Sequence, residues 1–216
     1  MQSTLAPAGH AAESIADLWW VMFWGACAIF ALVIGLALFT ISPYSGQLRR
    51  RGLLVAAGGL LLPVLTLVAL LVYGTMVGRD VIALGSRSDL VVEVTGRQWQ
   101  WEFAYLDSAG RTQARSTNLL ALPVDALVEF RITSEDVIHS FWVPRLGGKM
   151  DAIPGRINTL RLTSQQPGMM RGQCAEFCGL EHAHMAFDVV VQPQAEFEAW
   201  LGAQRQHALT GGVATR

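Results

Sequence analysis

Two long uncharged runs dominate the pattern of apolar and polar positions. Trp19–Ile41 reads WWVMFWGACAIFALVIGLALFTI and Gly52–Val77 reads GLLVAAGGLLLPVLTLVALLVYGTMV. Each exceeds the ~20 residues that cross ~30 Å of hydrocarbon at ~1.5 Å per residue, so both predict membrane-spanning helices and not buried core helices. Pro63 is compatible with that assignment, because neighbouring groups satisfy a freed carbonyl inside a membrane. From Arg79 onward charges recur and short β-rich runs alternate with turn residues. Strands are expected over Leu90–Leu106, Arg111–Leu119, Ala126–Thr133, Ile157–Thr163 and Met185–Gln192. Turns are expected at Asp107–Gly110, Pro123–Asp125 and Ile153–Gly155, and an amphipathic helix over Pro193–Gln206. Many short strands in one stretch predict an all-β sandwich or Greek-key barrel. The expected organisation is a short outer segment (1–18), a transmembrane helical hairpin (19–78), a β-domain with a C-terminal helix (79–206) and a tail (207–216).

Charge orients this arrangement. The linker SPYSGQLRRR carries Arg49, Arg50 and Arg51, whereas Met1–Leu18 has no Lys or Arg. The positive-inside rule keeps the linker cytoplasmic, so both termini and the β-domain face outward, and Trp19, Trp20, Phe23 and Trp24 fit the outer interfacial belt. Hydrophobic residues make up 52% of the 216 and charged residues 15%, which suits a lipid bilayer as one partner. The net charge of −1 offers no basic surface for nucleic acid. Met1–Leu18 contains Glu13 and Asp17 and lacks the basic start of a signal peptide.

Candidate chemistry is concentrated in GQCAEFCGLEHAHM, Gly172–Met185. Cys174, Cys178, His182 and Met185 are spaced so that a loop folding back brings two thiolates, an imidazole and a thioether together. That soft donor set suits copper over magnesium or calcium. A distant His usually completes such a site in a β-domain, and His139 in DVIHSFW is the best candidate. Two Cys, two His and a Met exceed what one copper needs. Two bridging thiolates would let two coppers share them, each capped by one His. Structural zinc is the competing assignment, but it has no use for Met185 and commonly takes other Cys spacings. A Cys174–Cys178 disulfide is the other alternative. His184 competes with His182, and spacing alone does not decide between them. Cys27 lies within the first apolar run and carries no redox assignment.

Three longer motifs resemble subunit II of haem-copper cytochrome c oxidase: GRQWQWEF (Gly96–Phe103), SEDVIHSFWVPRLGGKMDAIPGR (Ser134–Arg156) and PGMMRGQCAEFCGLEHAHM (Pro167–Met185). The resemblance runs from Trp19 to about Leu201. It implies a two-helix anchor and an outer cupredoxin-like domain holding a dinuclear mixed-valence copper centre, CuA. The ligands it implies are Cys174 and Cys178 as bridges, with His139, His182, Met185 and the backbone carbonyl of Glu176. It selects His182 over His184. It further implies that the Glu176 carboxylate binds a magnesium ion shared with subunit I, a role a hard oxygen donor suits. Trp99 is implied to lie exposed over the copper, where electrons arrive from cytochrome c. Strand periodicity alone would bury it with Trp101, Phe103 and Tyr105, unless a bulge or strand end near Gly96–Arg97 releases it.

The implied function is to accept electrons from cytochrome c and pass them to the haem- and CuB-bearing subunit I, for reduction of O2 to water coupled to proton pumping. Subunit III is a further implied partner, and the implied location is the bacterial inner membrane or an equivalent energy-coupling membrane. One departure is visible. A glutamate that helps admit protons in many members falls near Ala56, and Gly52–Leu62 contains no acid. From Arg79 on there are 15 acidic and 13 basic residues, so a basic cytochrome would be steered by a local patch, Glu135, Asp136 and Asp151. Three other functions fit less well. A quinol-oxidase subunit lacks these ligands, a nitrous oxide reductase domain lacks a two-helix anchor, and a copper carrier leaves the WQW segment unexplained.

Overall fold

A computed structural model describes residues 2–41, 51–82 and 88–211. Arg49 and Arg50, with the rest of the linker at 42–50, and the final residues 212–216 lie outside the described residues. The chain divides into two compact units, Ile15–Val81 and a second made of Met1–Ser14 with Ile82–Arg216.

The first unit holds two helices long and apolar enough to cross a bilayer, within α1 (His10–Ile41) and over Ala57–Arg79. On α1, Trp19, Trp20, Phe23 and Trp24 form a contiguous aromatic cluster, with Trp19 and Phe23 stacked at 5.2 Å. The second helix has three parts: α2 (Arg51–Ala56), a π-helical turn at Ala57–Leu61 and α3 (Leu62–Ile82). Pro63 accounts for the interruption. It has no N–H for the carbonyl four residues back, and its ring crowds that carbonyl. The Leu62 N–H accordingly reaches five residues back, to Ala57 O.

The second unit is a β-sandwich. One sheet runs in the order β3-β2-β1-β5-β8, the other β4-β10-β9-β6-β7. In chain order the strands are β1 (Leu90–Arg97), β2 (Gln100–Leu106), β3 (Thr112–Thr117), β4 (Leu119–Pro123), β5 (Leu127–Ser134), β6 (His139–Trp142), β7 (Met150–Ala152), β8 (Asn158–Thr163), β9 (Gly168–Cys174) and β10 (Ala186–Gln192). The β1–β5 and β4–β10 pairs are parallel and the rest antiparallel. Trp101, Phe103, Phe130, Phe141 and Phe187 pack between the sheets, with Phe141 and Phe187 stacked at 5.3 Å. Gly172 on β9 is required by this core, because a Cβ there would run into the Phe187 ring. The terminal helix α4 (Gln194–Gly211) sets Phe197 and Trp200 against Tyr105. The Tyr105 hydroxyl both donates to Ala121 O and accepts from Ala121 N, and burial pushes the phenol well above its usual range.

Two sequence expectations change. Leu90–Leu106 is not one strand. It is a hairpin whose loop is Gln98–Trp99, with Gly96↔Trp101, Val94↔Phe103 and Val92↔Tyr105 facing each other across the pair. The buried positions on β1 are even-numbered, whereas on β2 the large buried aromatics Trp101, Phe103 and Tyr105 are odd-numbered, with Ala104 and Leu106 buried beside them. Residues 10–18, read as part of a short outer segment, are already helical, and Met1–Ser14 groups with the β-domain. Ala8 N–H donates to Arg145 O, Gln165 N–H to Ala8 O and Ala12 N–H to Leu146 O, while Arg145 Nε donates to Ala6 O. Gly9 permits this docking, since a Cβ would collide with Thr163 O.

Candidate metal centre

Two strand ends and one loop build the site. His139 opens β6, Cys174 closes β9, and the loop that follows returns through a 3-10 turn (His182–His184) to β10. The loop is tied at its base by Cys174 N–H to Met185 O, and across to the neighbouring strand by Ala175 N–H to Ser140 O. These bonds bring donors distant in sequence into one cluster.

The two sulfurs lie 3.8 Å apart. Cys174 Sγ is 3.9 Å from His139 Nδ1 and 3.1 Å from Glu176 O. Cys178 Sγ is 3.6 Å from His182 Nδ1 and 3.6 Å from Met185 Sδ. Each thiol therefore has one imidazole nitrogen and one weaker donor of its own. His139, Cys174, Cys178 and Met185 are buried. His184 instead turns to solvent and pairs with Glu181 at 3.0 Å, which leaves His182 beside the sulfurs. The donor set fits copper: it is soft, enclosed and has two thiols close enough to share metal ions. Burial, reinforced by neighbouring Cys174, pushes the Cys178 thiol up to about 12. Metal binding must displace that proton.

The surrounding contacts orient the donors. His139 Nε2 meets Asp136 Oδ1 at 2.8 Å, so the ring presents its Nδ1 lone pair toward Cys174. Asp136 also accepts from Gln98 N and Val137 N, each at 2.7 Å. Burial on its own would raise the Asp136 carboxyl, but these bonds together outweigh it and hold the group down at about 2. Gly96 gives the imidazole its place, because a Cβ there would come within 2.9 Å of the ring. At the hairpin tip, Gln98 Nε2 donates to Cys178 O at 2.7 Å and Trp99 Nε1 to the same oxygen at 3.2 Å. Trp99 is half-exposed there, while Trp101 is fully buried. The Glu176 side chain is exposed on the same loop, beside Phe177 at 76% exposure, and Leu180 is 92% exposed.

The structure thus gathers Trp99, His139, Cys174, Glu176, Cys178, His182 and Met185 in one region. Sequence reasoning missed Gly96 and Gln98, and it treated Asp136 as a free steering charge. Asp136 is instead bonded to His139, and its neighbour Glu135 is paired with Arg97, so the proposed steering patch is partly neutralised. The acid three residues before a buried His was the signal available for Asp136.

A family model described as "Cytochrome C oxidase subunit II, periplasmic domain" matches residues 106–193. The cytochrome c oxidase subunit 2 of Alkalihalophilus pseudofirmus is 41% identical over 110 residues, covering 51% of this chain and 31% of that protein. That of Myxine glutinosa is 32% identical over 131 residues, covering 52% and 57%. The chain therefore spans between about a third and somewhat over half of these relatives. The solved periplasmic domain of subunit II of cytochrome oxidase (CoxB) from Bradyrhizobium japonicum is 32% identical with a TM-score of 0.51, over 56% of this chain and 96% of that one. A second structure, at 33% identity and a TM-score of 0.50, is a mixed disulfide intermediate between subunit II of a cytochrome c oxidase and the thioredoxin-like TlpA.

Proposed function

The chain belongs to the cytochrome c oxidase subunit II family, and from that premise we propose that it is the electron-accepting subunit of a haem-copper oxidase. On this reading it takes electrons from cytochrome c at a dinuclear copper (CuA) centre and passes them to the haem-bearing subunit I, where O2 is reduced to water with proton pumping. Subunit III is a further partner, the location is an energy-coupling membrane, and the β-domain and both termini lie on its outer side. The observation that carries the proposal is the paired arrangement of two thiols 3.8 Å apart, each flanked by its own imidazole and one weaker donor.

Copper held there would supply a one-electron redox centre. This chain's residues do the rest. Cys174, Cys178, His139 and His182 would hold the metal, with Met185 and the Glu176 carbonyl as the weaker donors. Asp136 fixes the tautomer of His139. The half-exposed Trp99 would offer the contact for cytochrome c, with its indole N–H bonded to Cys178 O. The exposed Glu176 carboxylate would share a magnesium ion with subunit I, as a hard oxygen donor suits. Loading requires both cysteines as thiols, and both are free here. A thioredoxin-like partner, like the one trapped on the related domain, would supply the two electrons and two protons that reopen a Cys174–Cys178 disulfide.

The test is copper stoichiometry with EPR of the purified chain. Two coppers sharing one unpaired electron are expected. One copper with a localised signal, or stoichiometric zinc, would overturn the reading.

A further inference from the structure

Gln98 holds two ties at once. Its backbone N–H donates to Asp136 Oδ2 at 2.7 Å, and the other oxygen of Asp136 holds His139. Its side-chain Nε2 donates to Cys178 O at 2.7 Å. The hairpin tip is thereby joined to the segment carrying His139 and to the loop carrying Cys178, His182 and Met185. An exposed glutamine gives up rotamer freedom when it is held in one pose, so a fixed pose at a loop tip needs such an anchor. Trp99, the next residue, sets its Nε1 on the same Cys178 oxygen, which accepts both N–H groups.

Gly179 completes the arrangement. Its φ is +118°, in the region that favours glycine, and a Cβ there would come within 3.0 Å of Gln98 Nε2 and 3.3 Å of Trp99 Cζ2. The stability of the sandwich explains neither feature, because Gln98 and Trp99 lie outside the strand ladder.

We propose that Gln98 is a positioning residue for Trp99: its amide anchors the hairpin tip to the Cys178 peptide, so that the indole rests on the metal-binding loop in a single pose for which Gly179 leaves the space. The proposal rests on Trp99 being where electrons are accepted. Gln98 acts through Trp99, and its loss affects the rate of electron acceptance without changing the metal.

The experiment compares Gln98→Met, Gly179→Ala and Trp99→Phe in the full chain, alone in detergent and in the assembled oxidase. Gln98→Met keeps length and backbone N–H and removes the side-chain amide, including the Nε2 donor to Cys178 O. Its limiting rate at saturating reduced cytochrome c should fall about tenfold, on the scale of one lost hydrogen bond, with KM, copper content and EPR unchanged. Independently of turnover, the seven tryptophan indoles are followed by 15N NMR, with Trp99 identified by its loss in Trp99→Phe. The Trp99 indole N–H should exchange with solvent about tenfold faster in Gln98→Met, for the same lost bond. Gly179→Ala should behave alike with Gln98 intact, and if it does not fold, Gln98→Met carries the test. If Trp99→Phe is slow but Gln98→Met keeps its limiting rate and indole protection, the positioning role fails. A raised KM with an unchanged limiting rate would make Gln98 a docking contact only and overturn it. If Trp99→Phe is as fast as the parent, the reading of Trp99 falls and takes the proposal with it.

Discussion

The His139 ring lies directly over Gly96, with room for no more than the glycine hydrogen: a Cβ on Gly96 would stand 2.9 Å from His139 Cδ2 and 3.1 Å from Cγ. Gly96 is on β1, paired with Trp101 on β2, and Trp101 itself meets the His139 ring edge-on at 5.9 Å. A strand of one sheet thereby shapes the seat of His139, a candidate metal ligand on the other. Gly96→Ala should therefore displace the imidazole, costing about 1–3 kcal/mol as an overpacked site does. Copper titration and thermal melts together check this. Weaker copper binding with a lowered melting temperature is expected, and unchanged copper affinity would show that the ring does not need this space.

The candidate segment stood out in the sequence because five potential donors are local, spaced within Cys174–Met185. His139, distant in sequence, was only a candidate by residue type. The hairpin break was hidden for a definite reason. Val92 and Val94 are inward at even positions, and Trp101, Phe103 and Tyr105 at odd ones, so the buried face changes parity between them. Trp99 extends the odd aromatic series two residues too early and disguises the turn as strand. Strands β4, β6, β7 and β9 were missed because they are short or glycine-bearing, and their pairing is decided by tertiary contacts such as Phe187 over Gly172. The bonds of Asp136 and Gln98 link positions 38 and 80 residues apart, beyond the reach of local pattern.

Trp99 and Trp101 should separate cleanly under mutation. Trp101 is fully buried against His139, Phe141 and Phe187, so Trp101→Ala should be destabilising by about 3–5 kcal/mol. Trp99→Phe should leave thermal stability and copper content near parent values and slow reduction by cytochrome c by orders of magnitude. Stopped-flow reduction alongside melts of both variants distinguishes them. An early-melting Trp99→Phe with fast reduction in its folded fraction would return Trp99 to the core.

Met185 sits 3.6 Å from Cys178 Sγ and is 1% exposed. Met185→Leu nearly conserves volume, so its packing cost should stay below about 1.5 kcal/mol. A thioether in a weak-donor role tunes potential more than it holds metal. The variant should bind copper, with a shifted reduction potential and altered hyperfine structure in EPR. Loss of all copper would assign Met185 a stronger role.

The docked segment before the first helix should contribute to β-domain stability. Gly9 packs on Thr163 O with no space for a side chain, and Ala8 exchanges backbone bonds with Arg145 and Gln165. Gly9→Val should release residues 2–9. It should lower the melting temperature by an amount equivalent to about 1–3 kcal/mol, the range for a few net hydrogen bonds and a little apolar contact. Limited proteolysis checks the site of the effect. Cleavage should appear before His10 while the sandwich remains intact, and unchanged protection there would mean the segment docks without Gly9.

Glu129 links this architecture to pH. It lies on β5, 12% exposed, accepting from Arg161 Nε and Nη2 across the β5–β8 pair and from Arg131 Nε along its own strand. The hydrogen bond from Arg161 is the largest influence; it overcomes the upward pull of burial and, with Arg131, holds the carboxyl below its ordinary value. A carboxyl depressed in the folded state contributes stability that is fully present above its unfolded value, ~4.3 for a glutamate, and is lost as pH falls through the lower folded value. The β-domain should therefore keep this contribution at neutral pH and lose it only on strong acidification. Glu129→Gln should lower the melting temperature at neutral pH and flatten its fall on the acid side. Melts of parent and variant in steps from neutral to acid pH measure the difference. Curves that run parallel throughout would show that Glu129 contributes nothing through its charge.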